Sequence, residues 1–416
     1  MSAPSVGARS SAPARPPRLP RRAAGYLFAQ TAVERLILFV IPVAIYLQTG
    51  SLSASGVAYI AEWLPTILAL PVVGAVVDRH PGDVVLRVVN LVRALTCVFA
   101  AVAVLGGLGP AALISVGAVL GVANIFAYMV FEKYVFGLDP QVVTSAYSYF
   151  QSLQYVMLLA MPLLGSVALT GGRLTGLLLT CAAVYAVMLV PLIGRGMMTG
   201  SAADPADAAD DPGWRELVQG AAHMARNPHA RALVLLLFAV NLAYGTLYSA
   251  LPALTGATTS STALLPLGYG SAAVISLVYF FTVPRRNAPR LVARIGLVAA
   301  FSTVALPMLL WLSGSSRLAV LVFALSVGPM VAFSVWIRVL RNRLLDSRSF
   351  ALQASVMMMG STAAYPVAGA YLAVVGDRLS PHTAVSVLGL VCLAGVTGAA
   401  LSLRSHLREP VGAQHA

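Results

Sequence analysis

Apolar residues run through this chain in long, nearly unbroken stretches, and the short segments between them hold most of the charge. Twelve such runs can be read, at about 24–48, 55–77, 84–106, 110–134, 142–169, 174–194, 230–253, 262–283, 292–313, 318–340, 350–375 and 382–403. Each is near the roughly 20 residues that a helix needs to cross a bilayer. Backbone polar groups cannot stay unpaired in hydrocarbon, so the runs predict helices. None shows the period-two alternation of a membrane β-barrel. The predicted class is an all-α membrane protein with twelve transmembrane helices.

Composition agrees with the pattern. Of 416 residues, 59% are hydrophobic and only 10% charged, against roughly a quarter charged in soluble domains. So little polar surface cannot cover a globule in water, which excludes a soluble multidomain protein, a disordered chain and a disulfide scaffold. The net charge of +13 would suggest nucleic acid in a soluble chain, but its distribution assigns it to topology. Arg9, Arg15, Arg18, Arg21 and Arg22 precede run one. Arg79, Arg87, Arg195, Arg215, Arg226, Arg285, Arg286, Arg290, Arg341, Arg343, Arg348, Arg404 and Arg408 occupy the loops and tail on the same side. The opposite loops hold only Arg173, Arg317 and Arg378. By the positive-inside rule, both termini are expected in the cytoplasm, across a bacterial inner membrane. No nucleic-acid partner is needed. Cys97, Cys181 and Cys392 lie inside apolar runs with no spacing motif and read as buried, inert thiols.

Internal echoes divide the chain. Residues 1–22 read as a disordered cytoplasmic tail without a cleavable signal peptide. Residues 23–195 form a first six-helix bundle and 229–404 a second, followed by a tail at 405–416. The linker at 196–228 carries Asp204, Asp207, Asp210 and Asp211, then an amphipathic stretch, Trp214–Arg226. Run five contains Met161-Pro162-Leu163-Leu164-Gly165-Ser166, and run eleven contains Tyr365-Pro366-Val367-Ala368-Gly369-Ala370. The same Pro-to-Gly spacing at the same ordinal place in each half suggests two parallel repeats, as in many secondary transporters.

After run two, Gly74-Ala-Val-Val-Asp78-Arg79 resembles the loop signature of the major facilitator superfamily. Here His80-Pro81-Gly82-Asp83 replaces that signature's basic continuation, and the next cation is Arg87. The Pro162 to Gly165 segment is similar to a worn form of the superfamily's antiporter motif. Ile41-Pro42-Val43, Thr49-Gly50-Ser51 and Ala230-Arg231-Ala232-Leu233 extend the resemblance to the drug:proton antiporter branch with macrolide-efflux and enterobactin-exporter proteins. The resemblance implies the major facilitator fold, a cytoplasmic latch at Gly74, Asp78 and Arg79, and a hinge at Pro162 and Gly165. It also implies that helices one, four, seven and ten line a cavity while three, six, nine and twelve face lipid.

Five ionisable groups within the runs supply the candidate chemistry: Glu34, Arg35, Glu62, Glu132 and Lys133, the last being the chain's only lysine. Each costs about 2.5–3.5 kcal/mol at the centre of a lone helix, so they must face protein, water or one another. Adjacent residues diverge by about 100° on a helix, which disfavours Glu34–Arg35 and Glu132–Lys133 pairing. Contacts between helices, Glu34 with Lys133 or Arg35 with Glu132, are expected instead. Tyr26, Gln30 and Glu34 share one helix face, as do Asn124, Tyr128 and Glu132. Asn241, Tyr244 and Tyr248 share another, as do Ser334, Arg338 and Arg341.

The expected function is a monomeric, proton-coupled exporter of a small organic molecule, with no cofactor. Glu34 and Glu132 are assigned the proton. Gln30, Arg35, Asn124, Tyr128, Lys133, Asn241, Tyr244, Tyr248 and Arg338 are assigned the substrate, and Glu62 an outer polar site. The cations Lys133 and Arg338 suggest an anionic or zwitterionic substrate such as a siderophore. A ferroportin-like exporter of divalent metal is the alternative, but all six histidines lie in loops, tails or run ends and supply no intramembrane ligand set. No nucleophile–base arrangement suggests an enzyme.

Overall fold

A computed structural model describes residues 20–136, 138, 140–169, 173–192, 222, 225–257, 264–282, 289–344 and 357–403. Both tails and nearly all of Trp214–Arg226 lie outside these residues, as do the side chains of Asp78 and Arg338.

The first half holds α1 (Arg21–Thr49), α2 (Leu52–Arg79), α3 (Gly82–Leu105), α4 (Pro110–Phe136), α5 (Pro140–Leu169) and α6 (Leu174–Val187). The second holds α7 (Pro228–Leu254), α8 (Leu264–Thr282), α9 (Pro289–Ala305), α10 (Ser316–Val327), α11 (Met330–Leu344), α12 (Ala364–Val375) and α13 (Pro381–Ser402). Among the described residues ten helical stretches are long and apolar enough to cross a membrane, and two shorter ones, Val156–Leu169 and Leu264–Tyr279, fall where runs five and eight were read. The described residues contain helices and no strand, so the protein is an all-α membrane protein.

Run ten breaks into α10 and α11 around Gly328 and Pro329. Proline has no N–H to donate, so a break frees carbonyls that lipid cannot satisfy. Neighbouring hydroxyls take them: Ser276 donates to the Gly328 carbonyl at 2.7 Å and Thr303 to that of Ser326 at 2.8 Å. Pro252 in α7 likewise deprives the Tyr248 carbonyl of its helical donor, and the Tyr269 hydroxyl from α8 supplies one at 3.2 Å.

Helix α3 shows the bilayer's effect most directly. Val88, Leu95 and Val102 are each about 60% exposed, while Asp83, Asn90 and Arg93 are buried on the opposite stripe. Apolar outside and polar inside reverses a soluble helix, as lipid requires.

One buried core joins residues of α1–α6 and a second joins mainly α7, α9 and α11–α13; a third, with α8 and α10, contains members of both halves. The hydrogen bonds and ring contacts between halves, among the described residues, lie toward the end where α1 finishes and α2 begins, here the far end. Gly50 makes that turn with a left-handed backbone, φ 63°, and Ser51 caps α2 through the Ala54 N–H at 3.0 Å. Ser51 then donates to Asp377 at 2.8 Å, and the Asp377 N–H donates to Ser53 at 3.1 Å. Side-chain and backbone hydrogen bonds from Ser51 and Ser53 hold the exposed Asp377 carboxyl below its ordinary pKa. Just beyond, Gly56 of α2 lies against the backbone of Gly369 and Leu372 in α12, leaving no room for a Cβ.

Candidate functional site

Three charged residues of the first half, Glu34 and Arg35 of α1 and Glu62 of α2, come together, and Tyr248 of α7 neighbours Arg35 and Glu62. Arg35 donates through Nε to the Gln154 Oε1 of α5 at 2.9 Å, and its Nη2 reaches the same oxygen. Nη2 also stands 4.0 Å from Glu34 Oε1. This corrects the expected pairing: Arg35 joins its own neighbour Glu34 and a glutamine, and neither Lys133 nor Glu132 forms the predicted pair. The 100° between adjacent Cα–Cβ bonds fixes only where side chains start, and an arginine is long enough to fold back.

Glu62, expected at an outer polar site, is 4% exposed, and its charged neighbours are Arg35 and Glu34. No hydrogen bond or ion pair reaches its carboxyl among the described residues. On one face of the same helix lie Tyr59 and Trp63, at i−3 and i+1. Trp63 stacks on Tyr365 of α12 with ring centroids 4.4 Å apart, and Tyr59 meets each of them at 6.2 Å. From α7, Tyr244 lies 6.4 Å from Tyr365 and 5.7 Å from Tyr248. Tyr248 continues to Tyr269 and Phe39 through ring contacts of 5.2 and 4.9 Å. Both halves therefore contribute to one aromatic lining. Gly245 permits it, since a Cβ there would press on the Tyr365 ring at 3.0 Å.

Two buried polar atoms in this lining lack a partner, the Trp63 indole nitrogen and the Ser249 hydroxyl. Ser249 opens on a small cavity lined also by Leu38, Phe39, Pro42, Val43, Tyr59, Tyr248 and Tyr269. Unpartnered buried groups of this kind are costly unless water or a ligand meets them.

The other expected residues divide. Gln30 is buried in α1, and the Asn124 Oδ1 in α4 is buried without a partner. Tyr128 packs on Phe150 at 5.9 Å. Lys133 turns to α2, donating to the Val77 carbonyl at 2.6 Å next to Asp78 and Arg79 at the end of that helix. Asn241, expected in the cavity, donates to the Ser361 carbonyl at 3.3 Å; a polar helix face serves helix–helix bonding as readily as a cavity. Glu132 is half-buried, Arg79 exposed, and Gly74 has open space around it. Pro162 is buried, and Gly165 lets the Phe39 ring approach α5, where a Cβ would meet it at 2.7 Å.

Residues not assigned to the site in the sequence reading include Gln154, Tyr59, Trp63, Tyr365 and, away from this space, Arg93. Arg93 is a sixth ionisable group in mid-membrane, fully buried, on a helix expected only to face lipid. It donates to the Ala123 carbonyl at 3.1 Å and to Asn90 at 3.5 Å, and lies 5.2 Å from the Tyr185 ring centroid. Asn90 in turn donates to the Tyr26 hydroxyl at 2.8 Å. The three cysteines are buried free thiols. Among the described residues no group of three His, Cys, Asp or Glu side chains could hold a metal ion.

No sequence model of a known family matches the chain, and no curated protein matches it. Solved structures do. A variant of the nucleoside transporter NupG superposes with a TM-score of 0.68 at 14% identity, covering 94% of this chain and 99% of that one. A POT family transporter in complex with a thioalcohol-conjugated peptide gives 0.67 at 14%, covering 93% and 97%. A bacterial homologue of the iron transporter ferroportin, in an inward-facing state, gives 0.67 at 16%, covering 94% and 98%. These proteins share little sequence with the chain and differ in what they carry, yet they match its helices over almost their whole length. The chain therefore has the fold of these membrane transporters.

Proposed function

We propose that the protein is a secondary active transporter, a proton-coupled exporter of a small organic molecule that works by alternating access. The observation that carries this reading is the charged and aromatic cluster built from both halves: Glu34, Arg35 and Gln154 beside Glu62, with tyrosines from α2, α7 and α12. A transporter must expose one site to two sides in turn, which favours a site between units that can rock about it. In this reading residues 23–195 and 229–404 are the rocking bundles, both termini face the cytoplasm of a bacterial inner membrane, and the monomer is the working unit. The far end is then the external gate. Gly74, Asp78 and Arg79 form the cytoplasmic latch, with Pro162 and Gly165 at a hinge.

Glu34 carries the coupling proton, with Glu132 as a second acid nearer the cytoplasm. Protonation of Glu34 removes the charge facing Arg35 and leaves the guanidinium to Gln154, changing the field in the substrate space. Gln30, Asn124, Tyr128, Tyr244 and Tyr248 line the substrate route, and Lys133 and Arg338 its cytoplasmic approach. The ferroportin-like alternative draws support from fold likeness alone, since the described residues gather no three-donor set.

The test uses proteoliposomes with a trapped pH-sensitive dye. Small organic compounds added against a proton gradient will move protons in the native protein for at least one chemical class, and Glu34→Gln will abolish that movement. Full proton movement in Glu34→Gln would overturn the coupling assignment.

A further inference from the structure

The substrate space contains an acid that the coupling scheme does not use. Glu62 is almost wholly buried, and its carboxyl meets no donor or cation partner among the described residues. Arg35, its cationic neighbour among the described residues, is already engaged by Gln154 and Glu34. A buried carboxyl in that setting is accommodated either as the neutral acid or beside a cation brought from outside. Tyr59 and Tyr248 are electrostatic neighbours of Glu62, and ring contacts join them to Trp63, Tyr244 and Tyr365, all ring types that attract alkylammonium groups. Two carboxylates, Glu34 and Glu62, against one guanidinium leave this space short of positive charge. The unpartnered Trp63 N–H adds a donor, so the complementary group has an acceptor oxygen close to its charge.

We propose that Glu62 and its ring of aromatic side chains form a binding site for a positively charged amine with a nearby acceptor oxygen, taken up in exchange for the proton on Glu62. The proposal rests on the transporter reading and names the substrate group for that same space. In the exchange the Glu62 O–H bond breaks, the proton passes to water, and the carboxylate pairs with the incoming ammonium; no covalent bond to substrate forms. The amine meets Glu34 and Arg35 from α1, Tyr59 on α2 itself, Tyr244 and Tyr248 from α7, and Tyr365 from α12. Helix α4 meets this turn of α2 at Gly121, against the Glu62 carbonyl, which adds no titratable group. The site shifts the expectation drawn from Lys133 and Arg338: a zwitterion could satisfy both ends of the route, but a purely anionic substrate could not use Glu62.

The experiment is equilibrium binding to the full chain in lipid nanodiscs. The probes are benzoylcholine, its uncharged isostere 3,3-dimethylbutyl benzoate, and benzyltrimethylammonium, which has the charge but no oxygen. Benzoylcholine is expected to bind at least about tenfold more tightly than the isostere and to weaken as pH falls. Calorimetry in buffers of different ionisation heat should show proton release on binding. Glu62→Gln should abolish both the charge preference and the proton release. Trp63→Phe should weaken benzoylcholine more than benzyltrimethylammonium, a readout that does not depend on the glutamate variant folding well. Equal binding of the isostere, or full proton release in Glu62→Gln, would overturn the proposal. Binding with Glu62-dependent proton release but no flux in vesicles would sink the transport reading and leave the site standing. Glu34-dependent flux of compounds with no charge preference would do the reverse.

Discussion

Arg93 and Glu62 are both charged residues buried in the first half, and their surroundings are opposite. Arg93 is wrapped by a carbonyl, an amide and an aromatic face, whereas Glu62 has neither donor nor counter-ion among the described residues. Their chemistry explains the contrast. A guanidinium cannot shed its charge in a protein, so the fold must solvate it permanently with fixed dipoles. A carboxyl can become neutral, so the fold can leave it bare and let its environment change with its occupant. Burial alone therefore does not tell a permanently solvated charge from one left bare.

Removing Arg93 should do most to break this comparison. Arg93→Ala empties a large packed volume and removes the donor that meets Asn90 Oδ1 and the Ala123 carbonyl, at a cost of about 3 kcal/mol or more. Thermal unfolding in detergent should show it as a large fall in midpoint, and Arg93→Lys should recover only part, because lysine lacks the planar fork. Glu62→Gln should by contrast leave stability within about 1 kcal/mol while removing amine binding. A large loss of stability in Glu62→Gln would mean that the acid is structural after all.

Gln154→Leu should fall between the two. It removes the acceptor shared by two Arg35 donors at a half-buried place and should cost about 1–3 kcal/mol. It should also alter proton movement in vesicles, because Arg35 is then left to Glu34 alone. Unchanged coupling would confine Gln154 to a packing role.

The smallest effect belongs to the far-end bond between Ser51 and Asp377. The Asp377 pKa is lowered in the folded protein, so its stabilisation is present above the ordinary carboxylate range and lost as pH falls through the lowered value. Exposure to solvent keeps the contribution small. A small difference in melting point between the native protein and Asp377→Asn at neutral pH should close as the solution is acidified.

The fold was legible in the sequence because bilayer thickness imposes a length on every apolar run. The break in run ten was foreshadowed only by Gly328-Pro329 inside an otherwise continuous stretch. Glu34, Arg35 and Glu62 stood out because charge in an apolar run is rare. Their partners did not: Gln154 lies 119 positions from Arg35, and no local spacing links the two. Tyr59 and Trp63 were overlooked because aromatic residues are ordinary in such runs, although their i−3 and i+1 positions around Glu62 place all three on one side of α2. Arg93 went unread although it lies inside run three; the stripe of Asp83, Asn90 and Arg93 was the available signal. Lys133 misled in the other direction, since an ammonium can be satisfied by a main-chain carbonyl as well as by an acid.

The bond from Tyr269 to the Tyr248 carbonyl has a mechanical corollary. Pro252 leaves α7 one rung short at Tyr248, and the phenol from α8 acts as a splint across the gap. Drawing α8 away would free Tyr248 to flex in the same stroke that withdrew Tyr269 from the shared ring stack. Bending of the helix and loosening of the aromatic lining are thus geared together through one hydroxyl group.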